Sequence, residues 1–132
     1  MTAGGQGASM STTTSTHTKF DVAALRRGFA DHDAGALASL YAQDAVVEIA
    51  DAQNPPSRPG RIEGRDAIRA HLEDILARDM THEVDIIAVG EDSVGYSLRC
   101  AYPDGKRVLC ATTLQLRDGR VVREVGVQAW DA

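Results

Sequence analysis

Residues 81–130, THEVDIIAVGEDSVGYSLRCAYPDGKRVLCATTLQLRDGRVVREVGVQAW, decide the architecture of this 132-residue chain. β-Branched residues run through the segment, and turn signals interrupt it at intervals of about a dozen residues, the pattern of an antiparallel meander of four strands. Its clearest turn is Tyr102-Pro103-Asp104-Gly105-Lys106, with Pro at the first central position and Gly where a left-handed bulge residue is needed. A three-residue loop, Pro103 to Gly105, follows. Pairing Tyr102 with Lys106 then sets Cys100 opposite Val108, Leu98 opposite Cys110 and Tyr96 opposite Thr112 on one apolar face. The reverse face carries Ser97, Arg99, Ala101, Leu109, Ala111, Thr113 and Gln115. It is too mixed for a core and suits a partly covered sheet surface, where a homodimer contact is expected.

Upstream, the periodicity changes. Phe20, Ala23, Ala24, Leu25 and Phe29 recur at helical spacing, and Asp33 caps a second apolar set of Leu37, Leu40 and Tyr41, so two short helices follow one another. Ala45 to Asp51 reads as a strand, and the stretch NPPSRPGRIEG, with three of the four prolines, reads as a loop. A third helix is expected from about Gly64 to Arg78, with Ile68, Leu72, Ile75 and Leu76 as its apolar stripe and His71 beside it. The predicted order is α-α-β-α-β-β-β-β, an α+β domain over residues 19–132.

Residues 1–18 contain no charged or aromatic side chain and no periodicity, so they are expected to form a disordered tail. Met10 is an alternative start to Met1. Fourteen Lys and Arg against nineteen Asp and Glu give a net charge of −5. That balance argues against nucleic acid or anionic membrane surfaces as partners. No run reaches the ~18 apolar residues of a spanning helix and no secretory signal pattern opens the chain, so a cytoplasmic address is expected. Cys100 and Cys110 are the only cysteines, and no His/Cys spacing resembles a zinc site. Diagonally offset on one face, they are expected to be reduced, mostly buried thiols. Neither a metal nor an organic cofactor is expected.

The segment Asp33 to Trp130 resembles the SnoaL-like and ketosteroid-isomerase-like family of the nuclear transport factor 2-like superfamily. The resemblance rests on DAGALASLYAQDAVVEIAD, on GRDAIRAHL opening the third helix, and on TTLQLRDGRVVREV. It implies a cone in which a curved sheet wraps over three helices and holds a small, mostly apolar organic ligand; dimers are common among such proteins. Steroid isomerisation in this superfamily needs a carboxylate base and a Tyr plus a protonated Asp as oxyanion donors. The corresponding positions here are Ile49, Leu25 and Thr112. Epoxide hydrolysis needs an Asp-Arg-Asp set, and the matching strand offers Arg99-Cys100-Ala101. Neither set is present.

The same resemblance turns Glu124, Gly126 and Gln128 inward on the last strand. A three-residue loop at Arg117-Asp118-Gly119 would pair Glu124 with Thr112, making one polar row of Tyr96, Thr112 and Glu124 fit to move a proton to or from an enolisable substrate. A two-residue turn at Asp118-Gly119 would instead bring Val121, Val125 and Val127 inward and leave Glu124 outside. His71 is a second candidate acid or base, against a purely structural role. Asp51 continues the alternation of Val47 and Ile49 towards the open end of the cone, or else begins the loop. Gln128 and Trp130 are candidates for substrate contact, Trp130 as a pocket cap or in a dimer contact. Arg58, Arg61, Arg65 and Arg69 form either an anion-drawing mouth or a solvated face. His82 and Glu48 are assigned to the surface. The function expected is cofactor-independent acid-base catalysis by Glu124 and His71 of the isomerase, cyclase or dehydratase type, or a non-catalytic ligand-binding or dimerisation module of the same fold.

Overall fold

The computed structural model describes residues 19–132, and the expected tail at residues 1–18 lies outside the described residues. Asp21 opens α1 (Val22–Ala30) by accepting a hydrogen bond from the Ala24 amide, and Asp33 does the same for α2 (Ala34–Ala38) through Ala36. Each short side chain satisfies an amide that the first helical turn leaves unpaired. The helices close on one another because Gly28 has no side chain: a Cβ there would stand 2.6 Å from Leu37 Cδ2.

The chain then enters β1 (Tyr41–Ala50), four residues earlier than the β-branched run suggests, so Tyr41 belongs to a strand and not to the second helix. The Pro-rich stretch is a loop only as far as Pro59. Its end forms a short strand, β2 (Gly60–Glu63), paired antiparallel with β1 through Val47 opposite Ile62. Four residues after a proline carry too little pattern to be read as a strand. Gly64, at φ +90°, allows the turn into α3 (Arg65–Leu76), which buries Ile68, Leu72 and Leu76.

Four strands complete the chain: β3 (Thr81–Val89), β4 (Ser93–Ala101), β5 (Arg107–Arg117) and β6 (Arg120–Trp130). They form the expected antiparallel meander, in a six-stranded sheet of order β2-β1-β6-β5-β4-β3 whose one parallel pair is β1 with β6. Three helices therefore pack on a mostly antiparallel sheet. The β4–β5 register matches the reading of the sequence pair by pair, with Gly105 at φ +91° and the Tyr102 amide bonded to the Lys106 carbonyl.

The last hairpin follows neither of the two expected registers. Asp118 and Gly119 form a two-residue turn with both residues at positive φ, which places Val121 opposite Leu116 and buries it. Between Gln115 and Leu116 the pairing slips, leaving Val122 as an extra residue, so that Arg123 stands opposite Gln115 and Glu124 opposite Leu114. One inserted residue restores the parity that the short turn reversed. Glu124 faces inward, but two residues nearer the turn than the expected row: the residue opposite Thr112 is Gly126.

The packing of Gly28 against Leu37 yields a reversal of sign. Gly28→Ala is expected to destabilise the protein by about 1–3 kcal/mol, because both Leu37 Cγ and Cδ2 stand in the way. In a Leu37→Ala background the clash is gone, and the same change is expected to stabilise by up to about 1 kcal/mol through helix propensity. Urea denaturation of the four proteins measures the cycle.

Candidate active site

Inward-facing residues of β1, β4, β5 and β6, together with α3, enclose a cavity of about 760 Å³. Apolar groups such as Ile49, Leu72, Leu98 and Val108 supply much of its wall. Polar groups gather on a few strands. Glu124 enters from β6, and the Tyr41 hydroxyl, from the first residue of β1, donates a hydrogen bond to Glu124 Oε1. Tyr41 is buried, and Glu124 keeps partial accessibility, as a side chain lining a cavity does. Burial pushes the Glu124 carboxyl above the ordinary glutamate range, and the hydrogen bond from Tyr41 partly offsets this. The Tyr41 phenol is pushed well above its usual value, first by burial and then by the nearby Glu124 charge. Burial and the same charge act on Tyr96, which stands opposite Thr112 on the neighbouring strands.

His71 and Glu124 line the same cavity, approached from α3 and β6 respectively. Burial holds His71 below the usual histidine value, with Asp74 opposing, so its ring is neutral near pH 7. Its Nε2 is buried with no hydrogen-bond partner among the described residues. Tyr96 and Thr112 also line the cavity. Tyr96, Thr112 and Glu124 thus line one cavity without forming the expected cross-strand row, because Gly126 stands opposite Thr112, and Tyr41 lies beside Glu124.

Asp51 has a different occupation. Its Oδ1 accepts from the amides of Gln53 and Asn54 and from Asn54 Nδ2, each at 2.9 Å, ending β1 in a tight turn. The Asn54 side chain, before the other contacts, holds its carboxyl below the ordinary range. Asp51 remains on the cavity wall as a turn-forming carboxylate. Gln128 Oε1 accepts from Trp130 Nε1 at 3.2 Å, and the Trp130 ring, 46 % exposed, lies 6.1 Å from Tyr102 between centroids. Three of the four arginines are held by polar or acidic side chains: Arg61 by Glu63 and Glu48, Arg65 by Gln43 and Arg69 by Glu73. Arg61 also borders the cavity.

Two residues depart from the sequence reading. His82, assigned to the surface, is only 7 % exposed and lies in the interior, with Nδ1 3.4 Å from Cys100 Sγ. The cause is a bulge in β3. Val84 pairs with Leu98, but Ile87 pairs with Tyr96, so alternation counted back from Ile87 puts His82 on the wrong face. Glu48, by contrast, lies with Arg61 and Arg123 as expected for a surface role. Tyr41 was hidden by its assignment to a helix, although counting back in twos from Val47 through Ala45 reaches it. Both cysteines are free, Cys100 buried and Cys110 partly so. Among the described residues, no group of three His, Cys, Asp or Glu side chains converges as a metal site.

Three helices close one face of a six-stranded sheet over a cavity that Glu124 lines, which defines an α+β protein with an internal pocket. The chain belongs to the SnoaL-like domain family, whose profile matches residues 22–124. Solved structures agree on the fold. A nuclear transport factor 2-like protein of unknown function from Mesorhizobium loti superposes with a TM-score of 0.69 at 24 % identity, covering 80 % of this chain and 84 % of that one. A putative ketosteroid isomerase from Kribbella flavida gives 0.66 at 22 % identity over 83 % and 76 % of the two chains. The epoxide hydrolase/cyclase-like enzyme SalBIII, described in pyran ring formation in polyether salinomycin, gives 0.62 at 19 % identity over 82 % and 87 %. Among curated proteins, none matches the sequence.

The buried pair makes stability depend on pH. Because the folded-state pKa of Glu124 is raised, its contribution is fully present below the unfolded glutamate value of about 4.3 and is lost as pH rises through the folded value. Glu124→Gln removes that dependence, so its stability relative to the parent protein is expected to rise as pH goes from 4 to 8. Tyr41→Phe leaves the carboxylate without its donor and is expected to cost about 2 kcal/mol at neutral pH. Thermal unfolding across pH checks both signs.

Proposed function

We propose that the chain is a cofactor-independent acid-base enzyme, of the isomerase, cyclase or dehydratase type, acting on a small, mostly apolar carbonyl compound. The observation that carries this reading is the buried Tyr41–Glu124 pair on the wall of a ligand-sized cavity. A carboxyl raised by burial is a better base than a solvated one, and it can take a proton from carbon next to a carbonyl. Tyr96 and Thr112, hydroxyls on adjacent strands, are placed to hydrogen-bond the enolate oxygen that forms. His71, neutral and with Nε2 unpartnered, serves as the second proton carrier. Gln128 and Trp130 take the substrate's outer end. Ile49, Leu25 and Thr112 stand where the steroid isomerase groups would be, so a steroid Δ-shift is not the reaction proposed.

The test is α-proton exchange in D2O on a panel of cyclic ketones, β,γ-enones and β-hydroxyketones, followed by NMR. Glu124→Gln is expected to lose about 10²–10⁴-fold of the exchange rate on any active member, and Tyr96→Phe about 10²-fold. Exchange unchanged by Glu124→Gln would sink the assignment. Binding of panel members with no exchange by the parent protein favours the second reading, a ligand-binding module, which the largely apolar cavity wall supports.

We also propose that the chain forms a homodimer through the outer sheet face. There Leu109 pairs with Ala129, Ala111 with Val127 and Thr113 with Val125, and Leu109 and Val127 are 44 % and 55 % exposed. Contiguous apolar side chains on a sheet face favour association with another such face. The double variant Leu109→Glu/Val127→Glu is expected to sediment as a monomer at a concentration where the parent protein sediments as a dimer. A parent protein that is itself monomeric would overturn the proposal.

A further inference from the structure

The acid-base reading leaves unused a second chemical centre in the same cavity. Cys100 on β4 pairs with Val108 and Cys110 on β5 pairs with Leu98, beside the Tyr96–Thr112 pair on the same face. Cys100 Sγ lies 3.4 Å from His82 Nδ1, and Cys100 and His82 are 6 % and 7 % exposed. His82 is fixed in orientation by two rings: Phe29 at 6.1 Å with the planes tilted by 34°, and His32 at 5.5 Å nearly edge-on. Its other nitrogen, Nε2, is buried with no hydrogen-bond partner among the described residues, although the ring lines the cavity. A buried imidazole normally has both nitrogens satisfied, so one left without a partner in a ring that lines a cavity points to a polar group of a ligand.

We propose that Cys100, paired with His82, is a nucleophile that adds covalently to α,β-unsaturated carbonyl compounds entering the cavity. His82 Nδ1 takes the thiol proton, and the sulfur lone pair forms an S–C bond at the β-carbon. The C=C π pair moves towards the carbonyl to give an enolate, and the imidazolium proton finally goes to the α-carbon. The product is a saturated thioether with a neutral imidazole. No oxidant or reductant is consumed, and loss of the α-proton with expulsion of the thiolate reverses the addition. The unpartnered Nε2 would donate to the carbonyl oxygen once a ligand and local adjustment of the ring bring the two together.

The electrostatics agree with this geometry. The hydrogen bond from Cys110 draws the Cys100 thiol down to about 5 against burial, with His82 adding to the effect, while Cys110 is pushed up. A thiol lowered in this way reacts as thiolate near neutral pH. The other titratable or charged groups on the same cavity wall are Tyr41 from β1, Asp51 after it, Arg61 from β2, His71 from α3, Arg78 after α3, Tyr96 from β4 and Glu124 from β6, and His32 after α1 stands against His82. The proposal does not rest on the acid-base reading, which uses Glu124.

Two probes test it on the parent protein: iodoacetamide and cyclohex-2-enone at pH 6, read by intact mass and peptide mapping. One adduct on Cys100 is expected with each, forming at least about tenfold faster than on a free cysteine at that pH. His82→Asn is expected to slow labelling about tenfold and move its pH midpoint upwards. Cys110→Ser, which keeps a donor, should remain near the parent midpoint, and Cys110→Ala should raise it. Glu124→Gln should still take up one adduct on Cys100 with each probe, which separates this centre from the acid-base one. Labelling of both thiols alike and only above about pH 8, no enone adduct, or indifference to His82→Asn would each overturn the proposal.

Discussion

The arrangement of the site depends on the single extra residue Val122 in β6. A two-residue turn on its own would turn Glu124 to the outside, where Arg123 now reaches Glu48. The bulge undoes that inversion while keeping Val121 in the core at 1 % exposure. Strand parity is a two-state variable, so one residue exchanges an inward carboxylate for an inward arginine. β1 reinforces the outcome, because its parallel pairing sets Val47 beside Glu124 and Ile49 beside Gly126, and its first residue, Tyr41, supplies the hydroxyl that the carboxyl needs. A carboxylate is taken into a core only where such a donor is present.

The fold was legible because its signals are redundant. The spacing of Phe20, Leu25 and Phe29 marks the first helix, Asp33 announces the second by side-chain capping, the stripe Ile68-Leu72-Leu76 gives the third, and Pro103 with Gly105 determines a loop whose register then propagates through nine pairs of β4 and β5. What escaped lies at irregularities. β2 is four residues behind a proline, the β3 bulge inverts the face assigned to His82, and the β6 bulge shifts Glu124 two residues along its own face. A bulge inserts a residue with no side-chain signature of its own, so the alternation on either side remains regular and only their phase relation changes. Tyr41 was lost for another reason: at a helix–strand boundary an aromatic residue fits either period.

These irregularities are also where the polar chemistry is concentrated. The bulge in β3 follows His82, the bulge in β6 precedes Glu124, and β1 is irregular between Tyr41 and Val46. Regular alternation on an inner sheet face would line the cavity with apolar side chains from every strand, as Leu98 and Val108 do. Bulges re-aim side chains locally without ending the ladder, which lets a sheet present titratable groups inward yet keep its edges paired.

Chemically, the wall has two parts. Tyr41, Tyr96, Thr112 and Glu124 form a hydroxyl-and-carboxyl set, while His82, Cys100 and Cys110 form a thiol-and-imidazole set, and β4 and β5 carry members of both. Coupling between them is visible in the effect of Glu124, whose charge contributes to raising Cys110 as well as Tyr96. A negative charge near Cys110 disfavours its ionisation and so keeps it a donor towards Cys100. Protonation of Glu124 removes that bias. The Glu124 carboxyl at one part of the cavity thereby helps decide which of the two thiols carries the charge at the other.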